Sequence, residues 1–251
     1  MKWKISTSKV TGTVHDSDMC QDYCTHLLTD DYAFIVACDG ASSASRAAEA
    51  SKIAATTMCM IVENCSSRLF DMDDDELRTL IAGTIHTALD DAAKAAGYTT
   101  DDYLTTLVAL FCTPGQYLAI NIGDGLAGFI PDDEGLAAQT LLAPVSGRYA
   151  NSCYFISQDD AASHIAIARG KFCTEATYFL MTDGTVHCLY NKAGQTYAPA
   201  LRAYSGWLVK YAYNKAQSAV TRSIKTLFPQ LTPDDCTLVT VSYTHLTLPT
   251  S

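Results

Sequence analysis

Glutamate is scarce in this sequence: the acidic residues comprise 22 Asp and only 5 Glu. Aspartate is poor inside helices, because its short carboxylate competes for nearby backbone donors. The charges are therefore expected at caps, turns and element ends. Basic residues are few as well, 17 Lys+Arg against 27 Asp+Glu, for a net charge of −10. That balance excludes a general nucleic-acid binder, which needs stripes of Lys and Arg along the phosphates. No run approaches the ~18 apolar residues that cross a bilayer, so no membrane association is expected. The first ten residues carry lysines with no apolar stretch behind them, unlike an export signal. No Cys-x-x-Cys pair occurs, so a zinc site of the usual spacing is unsupported.

What remains is a chain able to fold. Its 251 residues are 48% hydrophobic and 18% charged, enough for a sizeable core. With no repeat or composition break, one domain over residues 1–242 is expected. Residues 243–251 break the pattern and are expected to be a non-native or disordered tail. Several of the ten cysteines sit in apolar, strand-like runs (Cys38, Cys112, Cys236), as buried free thiols do, which points to a reducing cytoplasm. Cys20, Cys24, His15 and His26 cluster in sequence, but their spacing is irregular for a metal site.

Periodicity gives a coarse element order. Residues 32–38 (YAFIVAC) read as a buried strand and 44–65 as a long Ala-rich helix. The acidic run DMDDDE at 71–76 reads as an N-terminal cap cluster. It precedes a helix whose apolar face holds Leu77, Ile81, Ile85 and Leu89 and which Gly97 ends. Strands are expected at 104–112, 116–122, 126–130, 176–182 and 236–242, with helix over 198–227. Helices grouped apart from antiparallel strands make an α+β fold.

Several apolar strands deliver an aspartate to one end. The segments are Cys38-Asp39-Gly40, Thr182-Asp183-Gly184, Asp234-Asp235-Cys236, Gln21-Asp22 and Gly123-Asp124-Gly125. One Asp-Gly is only a turn. Five at strand boundaries suggest converging carboxylates and carbonyls, which suit Mg²⁺ or Mn²⁺. The Gly123–Gly128 stretch also satisfies the dinucleotide pattern GxGxxG. Residues 129–135 (FIPDDEG) read as strand and turn, so no helix N-terminus is available for a pyrophosphate.

In their order, these segments resemble the metal-dependent protein phosphatases of the PP2C type, closest to the compact bacterial branch. The matching pieces are Gly12-Thr13-Val14-His15 with Gln21-Asp22, Asp39-Gly40-Ala41-Ser42-Ser43, Thr105-Thr106-Leu107-Val108, Asn121-Ile122-Gly123-Asp124-Gly125, Met181-Thr182-Asp183-Gly184 and Asp234-Asp235-Cys236-Thr237-Leu238-Val239. The resemblance implies an α-β-β-α sandwich, two antiparallel sheets flanked by helices, with two Mg²⁺ or Mn²⁺ ions at one edge. It implies that Asp39 bridges the ions, that the Gly40 carbonyl binds one, and that Asp183 and Asp234 complete the other. Asp22 would hold a metal-bound water, and Asp124 would support the site. The implied activity is hydrolysis of phosphoserine or phosphothreonine in proteins, opposed by a cognate Ser/Thr kinase.

The sequence also departs from the family pattern. Gln21 stands where many members carry Glu, Ser17 where an Arg grips the substrate phosphate, and Ala41 where animal-type members carry a His. His15 could substitute in catalysis, and His187 occupies the position associated with a third metal. A phosphatase-like binding or regulatory module is the alternative these departures leave open.

Overall fold

The computed structural model describes residues 2–13, 20–145 and 153–244. Seven helices and strands open the chain: β1 (Lys2–Val10), β2 (Tyr23–Leu28), β3 (Ala33–Cys38), α1 (Ala47–Cys65), α2 (Asp74–Ala96), β4 (Leu107–Cys112) and β5 (Gln116–Ile122). They are followed by β6 (Leu126–Pro131), β7 (Gln139–Leu142), β8 (Ala166–Lys171), β9 (Ala176–Met181) and α3 (Asp183–Leu189). The short β10 (Tyr190–Asn191) and β11 (Thr196–Tyr197), then α4 (Pro199–Lys210), α5 (Tyr213–Leu227) and β12 (Cys236–Thr244), complete it. Two five-stranded sheets are fully antiparallel, ordered β1-β12-β9-β6-β7 and β2-β3-β4-β5-β8. This is the expected α-β-β-α sandwich.

Three apolar layers explain why the central strands read as unbroken hydrophobic runs. In β3, Phe34, Val36 and Cys38 face the core under α1 and α2, while Ala33, Ile35 and Ala37 face the opposite sheet. Strand β9 does the same, with Tyr178 and Leu180 between the sheets and Phe179 and Met181 against the α3–α5 layer. A strand covered on both faces has no polar face to show, so period-two alternation disappears.

Local signals hold where they are strong. Asp73 caps α2, its carboxylate accepting the Glu76 N–H at 2.8 Å, and Gly97 closes the helix in the left-handed conformation at φ 78°. The segment after Gly123 is strand β6, as expected from the failed GxGxxG context. Elsewhere the structure adds to or corrects the reading. Helix over 198–227 is two helices, broken by extended backbone at Tyr211 (ψ 160°) and Ala212 (ψ 143°). Strands β1, β2, β7 and β8 are additions; β2 and β8 are half-exposed edge strands with little apolar patterning. Strand β12 pairs with β1 as far as Lys2–Thr244, and Tyr243 is 6% exposed with its ring 4.6 Å from that of Trp3. Residues 245–251 lie outside the described part.

Candidate active site

One end of the sandwich collects the acid-bearing strand ends. Tyr23 pairs with Cys38, which places Asp22 beside Asp39. Leu126 and Leu238 both pair with Met181, bringing the Asp124 turn and the 234–235 pair to Asp183. A cleft of about 310 Å³ opens there, walled by Asp39, Asp124, Asp183, Asp234 and Asp235, with Gln21, Gly40, Ala41, Ser42, Thr106, Cys153 and Phe155. A larger cavity of about 710 Å³, between the β6–β7 turn and α4, is mainly apolar with Glu134 as its one carboxylate. The chemistry belongs to the smaller one.

The backbone around Asp39 is held rigidly. Its N–H donates to Thr106 Oγ1 (3.1 Å), and its carbonyl accepts from the Thr106 N–H (2.8 Å) and the Thr105 hydroxyl (2.9 Å). Gly40 N–H donates to the Gln21 carbonyl, which also accepts the Ser51 hydroxyl. A Cβ at Gly40 would stand 2.4 Å from the Ala47 carbonyl, so only glycine lets α1 start this close. Asp183 opens α3, and its carboxylate accepts the Gly184 N–H at 2.5 Å.

Burial and crowding govern the carboxyls. Asp22 is 1% exposed beneath the cleft floor; its Oδ2 accepts the Thr182 hydroxyl at 2.8 Å, while its Oδ1 has no hydrogen-bond partner. Burial, and then the Asp183 charge, push it up to about 7. Asp39 is raised well above the usual carboxylate range by burial and by Asp22, Asp183 and Asp124. Asp183 rises to about 6, by burial and then by Asp124. Asp39 lies within hydrogen-bonding reach of both Asp22 and Asp183, so three carboxyls crowd into a line that only protons or cations can relieve.

Asp235 has a role that the sequence does not single out. Its two carboxylate oxygens accept the backbone N–H groups of Gly12 (2.7 Å) and Gln21 (2.6 Å), tying both ends of the segment before Asp22 to the start of β12. Its neighbour Asp234 lines the cleft beside it without those backbone bonds and accepts the Thr232 hydroxyl at 3.4 Å. The only signal is the doubled Asp-Asp, which does not say which member turns inward.

A protein phosphatase 2C family model matches residues 11–222, the whole span that delivers these groups apart from the last strand. The chain belongs to the protein phosphatase 2C family. Serine/threonine-protein phosphatase 3 of Escherichia coli (strain K12) is 31% identical over 173 residues, covering 66% of this chain and 67% of that protein. Among solved structures, the serine/threonine phosphatase Stp1 from Staphylococcus aureus superposes with a TM-score of 0.65 at 13% identity, over 98% of this chain and 96% of its own. RsbX in complex with magnesium gives 0.58 at 16% identity, over 96% of each chain. At such identities the two structures speak for the fold.

Protein phosphatase 2C enzymes are metal-dependent, and this donor set fits a hard cation. A wall of carboxylate oxygens, an orphaned buried carboxylate oxygen and carboxyls forced toward neutrality suit a Mg²⁺-type ion, with Cys153 the one sulfur among the described lining residues. Among the described residues no three His, Cys, Asp or Glu side chains stand close enough together to hold an ion as they are placed. The structure brings Asp39, Gly40, Asp183 and Asp234 to the cleft, with Asp22 beneath. His187 is exposed on α3, beside a separate depression with Cys188 and Tyr190. His15 and Ser17 lie outside the described residues.

Proposed function

We propose that this chain hydrolyses phosphoserine and phosphothreonine in proteins, using Mg²⁺ or Mn²⁺ held by Asp39, the Gly40 carbonyl, Asp183 and Asp234. The observation that carries this is the line of Asp22, Asp39 and Asp183 carboxyls, crowded against one another at the floor of an open cleft. Two divalent cations bound there would supply Lewis acidity to the phosphoryl group and to the attacking water. The chain's own residues set the geometry. Asp39 is fixed by Thr105 and Thr106 at the centre of the set. Asp22, oriented by Thr182, keeps one carboxylate oxygen without a hydrogen-bond partner and is suited to orient water. The Gln21 amide and Ser42 line the rim where a phosphoryl group would enter. A cytoplasmic location, supported by ten free cysteines, is part of the proposal. A cognate kinase that restores the phosphate is part of it too.

The test is Mn²⁺-dependent hydrolysis of a phosphoserine peptide and of p-nitrophenyl phosphate. Asp39→Asn and Asp183→Asn should each lower kcat by about a hundredfold or more, and EDTA should abolish turnover. Activity that survives both substitutions or the chelator would sink the mechanism. One observation favours a second reading, a binding module with weak catalysis: no described residue lining the cleft is His, Lys or Arg. Calorimetry showing Mn²⁺ binding alongside no turnover of any phosphopeptide would select it.

A further inference from the structure

The cleft is walled by acids, yet a phosphoprotein brings more negative charge to it. Residues 198–233 hold five cations (Arg202, Lys210, Lys215, Arg222 and Lys225) and no Asp or Glu, whereas the rest of the chain carries a net −15. Arg202 is committed, donating to the carbonyls of Pro131 and Asp133. The other four are exposed, and among the described residues none is paired with a carboxylate. Lys215, Arg222 and Lys225 are spaced by seven and three, which puts them on one face of α5, opposite the buried Ala216, Val220 and Ile224.

The direction of α5 connects this face to the cleft. Gln217 accepts the Thr7 N–H and Thr221 bonds Ser8, so helix and strand β1 run the same way. β1 leads to Gly12, held by Asp235 at the cleft. The C-terminal end of α5 therefore lies at the active-site end, seven residues of chain before Asp234. Fifteen helical residues span about 22 Å, the reach of about seven extended peptide residues.

We propose that the outer face of α5 docks an acidic segment of the phosphoprotein substrate, running from Lys215 toward the cleft. Charge complementarity names the occupant: on a surface that is otherwise strongly acidic, this stripe is where an acidic peptide is attracted and aligned. Ser218 and Thr226 share the cationic face, and the exposed Tyr213 and Leu227 at the two ends of α5 fall toward the side of Val220, so the stripe itself has little apolar surface to enter a bilayer, which disfavours a lipid partner. The inference rests on the phosphatase reading, and its test separates the two.

Fluorescence anisotropy of the full chain with Mn²⁺ would use an unphosphorylated Asp/Glu-rich peptide and its Asn/Gln counterpart. The acidic peptide should bind, and the triple variant K215Q/R222Q/K225Q should weaken it about tenfold, as three exposed ion pairs would. The counterpart should bind neither protein. With phosphopeptides, the variant should raise KM about tenfold for acidic flanks only and leave p-nitrophenyl phosphate turnover unchanged. Glutamine keeps helix propensity, so an unchanged Tm confirms the fold. Equal acidic-peptide affinity in both proteins overturns the docking surface, as does, in a parallel titration with anionic-lipid vesicles, a loss on substitution seen with the vesicles and not with the peptide. Peptide binding that the variant loses, with no phosphoester turned over by the wild type, overturns the phosphatase reading while upholding an acidic partner on α5.

Discussion

At the scale of single residues, the site is a set of carboxyls kept from ionising together. In the metal-free protein Asp22 and Asp183 sit near 7 and 6, against an ordinary 3.8. A raised folded-state value means the native protein holds those protons more tightly than the unfolded chain. Their contribution to stability is thus full below about pH 4 and is lost as pH rises through about 6 to 7. Urea denaturation of metal-free protein should show this component disappearing between about pH 4 and 7, and Asp22→Asn should remove much of the slope. An unchanged slope in that variant would contradict the burial argument. Asp235 acts differently, because both its carboxylate oxygens accept backbone N–H groups. Asp235→Ala strands two N–H groups at Gly12 and Gln21 and should cost about 3 kcal/mol in urea denaturation, with or without Mn²⁺.

At the scale of elements, catalysis depends on how closely two of them approach. α3 starts against the entry to β12: a Cβ at Gly184 would lie 2.2 Å from the Asp235 carbonyl and 3.0 Å from Cys236 Sγ. Gly184→Ala should push α3 outward, carrying Asp183 away from Asp39. Mn²⁺ affinity measured by calorimetry should fall at least tenfold, while circular dichroism stays native. Asp73→Ala is the contrasting case. It removes the cap of α2 on the far side of the sandwich and should cost about 1 kcal/mol while leaving kcat untouched.

For the molecule as a whole, the acidic surplus is mostly a property of the surface, with a small cluster of buried, crowded carboxyls inside it. Ions that bind only the native state stabilise it by mass action. A hundredfold excess of Mn²⁺ over its dissociation constant adds about 2.7 kcal/mol, worth about 5–10 °C at this chain length. Thermal melts should show this gain at pH 7.5 and a smaller one at pH 5, where protons compete for the same carboxylates. Equal gains at both pH values would place the ions away from the Asp39 cluster.

The sequence alone determined the elements whose signals are local. The cap at Asp73, the stop at Gly97, the buried runs of β3, β4 and β9 and the non-helical sequel to Gly123 stem from neighbouring residues, and so did the acids to suspect. Tertiary structure decided the rest, because it turns on residues far apart in the chain. Edge strands β1, β2 and β8 are stabilised by pairing partners more than by their own composition. The break at Tyr211–Ala212 carries no proline or glycine to announce it. The division of labour in the Asp234–Asp235 pair depends on Gly12 and Gln21, more than 200 residues away, reaching Asp235 first. The sum of charges was readable from composition; which of them meet in one cleft was settled by strand register, since register alone brings Asp22, Asp39 and Asp183 side by side.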